Sequence, residues 1–79
     1  MNRLEESVLR ISKEYIDTVL LRKGFFKLHY NEEGEGEMVI KFKRHSNSRP
    51  LGALAIYGSD VEISGQNPDF VEYMKRKLK

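Results

Sequence analysis

The hydrophobic residues of this chain repeat with two periods, and the change of period limits the folds that it can adopt. Over residues 2–23 they recur every three or four positions, as on one side of an α-helix. Over residues 25–64 they alternate with other residues in four short segments, as in β-strands with one buried face. The helical period returns after Asn67. We therefore expect a helix at each end of the chain and four strands between them.

The first helix is expected to bury one broad stripe and to end near residue 23. Its stripe consists of Leu4, Val8, Ile11, Tyr15 and Val19, widened by Leu9, Ile16 and Leu20. Arg22 and Lys23 would occupy the last turn, where the helix dipole favours cations. Gly24 would end the helix in the left-handed conformation that glycine adopts most easily.

The first two strands, "FFKLHY" and "MVIKFK", are expected to form a hairpin across the acidic, glycine-containing segment 31–37. Their register follows from matching apolar side chains on one face. The pairs are Phe26 with Phe42, Leu28 with Ile40, and Tyr30 with Met38.

The next two strands, "ALAIY" and "DVEIS", flank the dipeptide Gly58-Ser59, which is typical of a two-residue hairpin turn. Tyr57 is then expected to pair with Asp60. Beyond this hairpin, Asn67 can cap a helix and Pro68 suits the first helical position. The second helix would bury Phe70, Val71, Met74 and Leu78.

These elements predict a single α+β domain over residues 1–79, in the order α-β-β-β-β-α. Its two layers are a four-stranded antiparallel meander and two helices that pack on the same face of the sheet. The other face is expected to stay open, because no element is left to cover it. The inner layer would hold Phe26, Leu28, Tyr30, Met38, Ile40, Phe42, Leu54, Ile56, Val61 and Ile63.

The open face is expected to carry three rows of side chains across the four strands. The first row would be Phe25, Lys43, Ala53 and Ser64. The second would be Lys27, Lys41, Ala55 and Glu62, and the third His29, Val39, Tyr57 and Asp60. In this arrangement Lys27 opposes Lys41 directly, which costs stability unless an anion is bound. His29 and Asp60, three strands apart, are too distant for a catalytic pair.

The sequence therefore predicts a small non-enzymatic binding module that contacts nucleic acid, preferably single-stranded RNA or DNA, or another polyanion. The candidate binding residues are Phe25, Lys27, Lys41, Lys43, Arg44, Arg49 and Tyr57. Their cations would meet phosphates, and Phe25 and Tyr57 would stack on bases. The alternative is a protein-interaction or homodimerisation module, in which Tyr57, Phe25, Val39 and the alanines form an apolar patch. A third interpretation leaves the lysines as a solvated surface that deters aggregation.

Other functional classes are less consistent with the composition. The net charge is only +2, from fourteen basic and twelve acidic residues, so charge separation in space has to provide any basic surface. The absence of cysteine excludes disulfides and thiolate chemistry, and the two histidines have no metal-binding spacing. We expect neither a cofactor nor a bound metal. The apolar runs are too short for a membrane span, and a chain without disulfides favours a cytoplasmic location.

Overall fold

A computed structural model of the chain describes residues 3–30 and 38–78. In chain order its elements are α1 (Arg3–Thr18), β1 (Phe25–Tyr30), β2 (Met38–Lys43), β3 (Gly52–Tyr57), β4 (Asp60–Ser64) and α2 (Pro68–Lys77). The strands form one antiparallel sheet in the order β1-β2-β3-β4. The predicted α+β meander is confirmed, whereas the segment predicted to connect β1 to β2, residues 31–37, lies outside the described residues.

The core lies between the helices and one face of the sheet, and its centre is a group of aromatic rings. Tyr15 of α1 contacts Phe42 of β2 edge-on, with the ring centroids 5.7 Å apart, and Phe70 of α2 at 5.4 Å. Phe42 and Phe70 are themselves 4.9 Å apart. Such tilted ring pairs add stability beyond the burial of their area. The other fully buried apolar side chains around them are Val8, Met38, Ile40, Leu54, Ile56 and Met74.

The helices do not cover the outer part of β1. Two residues predicted to be in the core, Leu28 and Tyr30, are therefore exposed. Leu28 and Tyr30 point to the same face as their buried partners Ile40 and Met38. Leu28 is nevertheless 38% exposed and Tyr30 61% exposed. Strand alternation decides which face a side chain lies on, but an element must pack over that face to bury it. The buried residues of both helices pack over β2 and β3, so the outer part of β1 stays uncovered.

The first helix is shorter than predicted, because the chain turns early to bury Leu20. α1 ends at Thr18, and Val19, expected in the buried stripe, is exposed. Among the described residues other than glycine, two have a left-handed backbone: Leu21, with φ of 51°, and Arg22, with φ of 64°. Gly24 does not have the predicted left-handed backbone. Its lack of a side chain instead allows Leu20 and the backbone of Lys43 to pack close to it. A Cβ atom there would lie 2.6 Å from Cδ1 of Leu20 and 2.9 Å from the carbonyl oxygen of Lys43.

The registers within the two hairpins are confirmed, but the register between them differs from the prediction by two residues. Lys41 pairs with Ala53 instead of Ala55, and Val39 pairs with Ala55 instead of Tyr57. A shift of two keeps every side chain on its own face, so the hydrophobic pattern is satisfied equally well by both registers. The structure opposes Phe42 to Gly52, and a Cβ atom on Gly52 would lie 2.2 Å from the Phe70 ring. Only glycine leaves room there for the aromatic group.

The turn and cap residues of the second half of the chain have their predicted roles. Gly58, the first residue of the β3–β4 turn, has a φ of 60°, as tight hairpin turns require at this position. The Asn67 side chain accepts hydrogen bonds from the backbone N–H groups of Asp69, at 3.0 Å, and Phe70, at 3.2 Å. Pro68 is the first residue of α2. These contacts fix the start of the helix that carries Phe70 into the core.

Candidate nucleic-acid interface

The open face of the sheet carries a pair of directly opposed lysines. Lys27 of β1 and Lys41 of β2 are cross-strand partners, and both side chains are exposed. Lys43, two residues further along β2, lies on the same face opposite Phe25 and is half-buried. Alternation along both strands therefore places three ammonium groups side by side on one surface.

No carboxylate of residues 3–30 and 38–78 is paired with these three lysines. Within the described part of the chain, none of them forms an ion pair; the acidic residues of the open face, Asp60 and Glu62, lie on β4 at the opposite edge. The Nζ atom of Lys27 lies 5.9 Å from the centroid of the Phe25 ring. A cation–π contact at an exposed site is worth about 0.5–1 kcal/mol and leaves the ammonium charge in place. The result is a local excess of positive charge on a chain with a small net charge.

The β2–β3 loop adds Arg49 to this surface. Arg49 and Lys41 line the same hollow, which has a volume of about 280 Å³ and lies over the start of β3 and the end of β4. Its remaining lining residues are Pro50, Gly52, Ala53, Ser64, Gly65 and Gln66. The hollow was not predicted from the sequence, because the predicted register placed Ala53 opposite Lys43. Gln66 was also missed, since nothing in the sequence relates it to Lys41.

Arg44 lies at the same end of the sheet but acts on the helix side. Its charge lowers the pKa of the Tyr15 hydroxyl, which belongs to the layer between helices and sheet. Burial of that hydroxyl outweighs this effect, so the pKa of Tyr15 is raised overall, and the Asp69 charge raises it further. Unlike Arg49, Arg44 is not among the residues that line the hollow beside Lys41.

Tyr57 lies apart from the lysines. It is the last residue of β3, four positions beyond Ala53, the partner of Lys41. Four residues of strand span roughly 13 Å. Its own partner is Asp60, whose carboxylate would repel a phosphate. The structure thus groups Phe25, Lys27, Lys41, Lys43 and Arg49 and leaves Tyr57 at the other end of the face.

Among the described residues of this face, the histidine and the carboxylates lie on opposite edges of the sheet. The corrected register places Glu62, instead of Asp60, in the row of His29, again three strands away. Among residues 3–30 and 38–78, no three side chains of histidine, aspartate or glutamate come together as metal ligands. Neither α1 nor α2 is long and apolar enough to cross a membrane.

Comparison with known proteins gives no further assignment: no family model, no curated protein and no solved structure matches this chain.

Proposed function

We propose that this protein is a small, non-enzymatic binding module for single-stranded nucleic acid. Its binding surface is the basic half of the open face, formed by Phe25, Lys27, Lys41 and Lys43 together with Arg49. The observation that carries the proposal is the opposed pair Lys27 and Lys41, neither of which forms an ion pair with another residue of the described ranges 3–30 and 38–78. Like charges in this position cost a hairpin some tenths of a kcal/mol or more, and a bound phosphate turns that repulsion into attraction.

A single strand suits this surface better than a duplex. The face is an open sheet with a ring at one end, and unstacked bases can lie flat against such a sheet. The cations are spread over two strands and one loop, so they can follow a flexible backbone. Within this proposal Arg44 contacts phosphate only from the helix side, and Tyr57 stacks only on a strand that extends beyond Val39.

The rival class is a protein-interaction or homodimerisation module on the same face. The corrected register weakens it, because Tyr57 no longer packs beside Val39. Val39, Ala53 and Ala55 are already half-buried, which leaves Tyr57 as the large exposed apolar side chain of that patch. A patch of this size is small for a stable interface, so we treat a dimer as an outcome that the experiment must detect.

The proposal is tested by fluorescence anisotropy with labelled single- and double-stranded oligonucleotides at about 50 and 200 mM salt. If the four cations Lys27, Lys41, Lys43 and Arg49 each neutralise a phosphate, affinity for a single strand should fall roughly 50-fold between these conditions. The variant Lys27→Glu with Lys41→Glu should abolish binding at both salt concentrations. Preference for the duplex would contradict the proposed substrate class.

The matched control is Lys13→Glu with Lys75→Glu, which makes the same change of net charge, from +2 to −2, on exposed helix positions. If the control loses as much affinity as the sheet variant, the binding reflects overall charge and the proposed face is wrong. Absence of binding at the lower salt would reject the nucleic-acid function. Sedimentation of the wild type and of Tyr57→Asp then tests the homodimer hypothesis by measuring the oligomeric state. A wild-type dimer that becomes a monomer in Tyr57→Asp would establish the homodimer.

A further inference from the structure

The hollow beside Lys41 is an open depression of the sheet surface that several side chains border. Lys41 stands on one side, and Ser64 and Gln66 stand on the other, separated by the small side chain of Ala53. Arg49 and Pro50 of the β2–β3 loop close the end. The hollow forms where the small side chain of Ala53 lies between Lys41 and Ser64 in its row of the open face.

The glycine positions make this shape a fixed part of the fold. Gly65 has a φ of 146°, and a Cβ atom there would lie 2.6 Å from Cα of Gly52. Gly52 in turn touches the Phe70 ring of the core. The two backbones are therefore in close contact, and the core below holds the floor of the hollow in place.

The chemistry of the walls is divided into a cationic side and a neutral polar side. Lys41 and Arg49 supply charge for one phosphate, and no carboxylate is among the described lining residues. The Ser64 hydroxyl and the Gln66 amide each offer a donor and an acceptor, and neither makes a hydrogen bond within the described part of the chain. Pro50 and Ala53 add an apolar floor between them. At about 280 Å³ the hollow is near the lower limit of small-molecule sites, so it suits one unit of a chain.

We propose that this hollow is a subsite for one nucleotide of the bound strand, and that it gives the protein a base preference at that position. The phosphate lies between Lys41 and Arg49, the base covers Ala53 and Pro50, and Gln66 and Ser64 hydrogen-bond its edge. The inference rests on the proposed function and adds selectivity to a surface that otherwise reads only phosphates and rings. An amide that pairs with the edge of one base leaves a mismatched base with unpaired polar groups.

The test compares the dissociation constants of short homopolymers of deoxyadenosine, deoxycytidine and thymidine at one salt concentration. We expect the tightest and weakest to differ by about fivefold or more in the wild type, as hydrogen bonds to one base can supply. Gln66→Leu removes the hydrogen-bonding amide and should reduce this difference to about twofold or less. Ala53→Val fills the floor and should remove the preference as well. Ala55→Val is the matched control, since it makes the same change on the same face one row away from the hollow, and it should retain the wild-type order.

The outcomes separate the subsite from the function on which it rests. If the homopolymers bind with steep salt dependence but Gln66→Leu and Ala53→Val leave the order of affinities unchanged, the subsite is wrong and the basic face stands. If no homopolymer binds, the proposed function fails, and adenosine, cytidine and thymidine monophosphates are titrated in its place. A change in the chemical shift of the Gln66 side-chain amide on adding a monophosphate would support a nucleotide site in the hollow. An unchanged chemical shift would reject that site.

Discussion

β1 and β3 flank the same strand, β2, and have the same alternation of side chains, but their inward faces differ in burial. The inward residues of β3, which are Gly52, Leu54 and Ile56, are all buried. On β1 only Phe26 packs against the core, and Leu28 and Tyr30 are exposed. The period of a strand thus determines which face is apolar, whereas the position of the helices determines how much of that face leaves water. The aromatic group of Tyr15, Phe42 and Phe70 packs both helices against β2, and the Phe70 ring also lies close to Gly52 of β3.

The largest expected effect contrasts two side chains that are direct partners across β1 and β2. Ile40→Ala should lower the free energy of unfolding by roughly 2–5 kcal/mol, because Ile40 is fully buried and leaves a cavity. Leu28→Ala should cost only about 1 kcal/mol, since much of that side chain is already in water. Urea denaturation of both variants measures the two costs. Equal costs would mean that β1 is covered as well as β3, and the comparison would be wrong.

The next effect tests why β3 lies so close to α2. Gly52→Ala should destabilise the protein by about 1–3 kcal/mol, because the added methyl group collides with the Phe70 ring and with the carbonyl oxygen of Ser64. Gly58→Ala provides the contrast. No atom lies within 4 Å of its would-be Cβ, so its cost, about 1 kcal/mol, comes from the positive φ alone. A neutral Gly52→Ala variant would refute the space argument for the β2–β3 register.

The pH dependence of stability tests the burial of the Tyr15 hydroxyl in the aromatic group. Burial, the main cause, raises the pKa of Tyr15 above 10.0, so the folded state keeps this proton at a pH where the unfolded chain releases it. Its contribution to stability is therefore complete below pH 10 and is lost as the pH rises through the raised pKa. The unfolding free energy of the wild type should fall more steeply above that pH than that of Tyr15→Phe. Parallel curves would show that other groups cause the alkaline loss.

The smallest effect concerns the turn that leads into β1. Leu21 has a left-handed backbone, which strains a residue with a side chain, and it is 67% exposed. Leu21→Gly should therefore raise the free energy of unfolding by about 0.5–1 kcal/mol, because the strain is relieved and little packing is lost. The neighbouring Lys23→Gly should lower stability, since glycine there only adds freedom to the unfolded chain. Thermal unfolding of both variants measures the sign of each change.

Most of the fold follows from sequence features that act over short distances. The pairing of Leu28 with Ile40 follows from matching apolar sets, and that of Tyr57 with Asp60 follows from a two-residue turn. The β2–β3 register could not be predicted in the same way. Residues 44–51 contain no turn that fixes it, and a period of two cannot distinguish registers that differ by two. The one local signal was Gly52, a strand residue without a side chain on an inward position beside a large ring.

The candidate site divides in the same way. The opposed lysines 27 and 41 belong to one hairpin, so their pairing was predictable from its hydrophobic pattern. The hollow joins Lys41 of one hairpin to Ser64 and Gln66 of the other, and its prediction required the register that the sequence leaves undetermined. The separation of Tyr57 from the lysines has the same cause. Contacts between segments distant in sequence depend on how the core packs, and the hydrophobic periodicity of each segment does not predict that packing.

The close contact between Gly52 and Phe70 also has a consequence for how such a surface can change during evolution or design. The hydrophobic pattern of the two hairpins allows more than one register between β2 and β3. The contact between Gly52 and Phe70 selects the register that the structure shows. Moving the glycine to position 54, with a larger residue at 52, would favour an offset of two residues. The outer side would then present new neighbours to Lys41, and on the inner side the buried Leu54 would be lost and the core residues of β3 would move by two positions relative to β2. A single small residue inside the protein thus governs the pattern of side chains on the open face of the sheet.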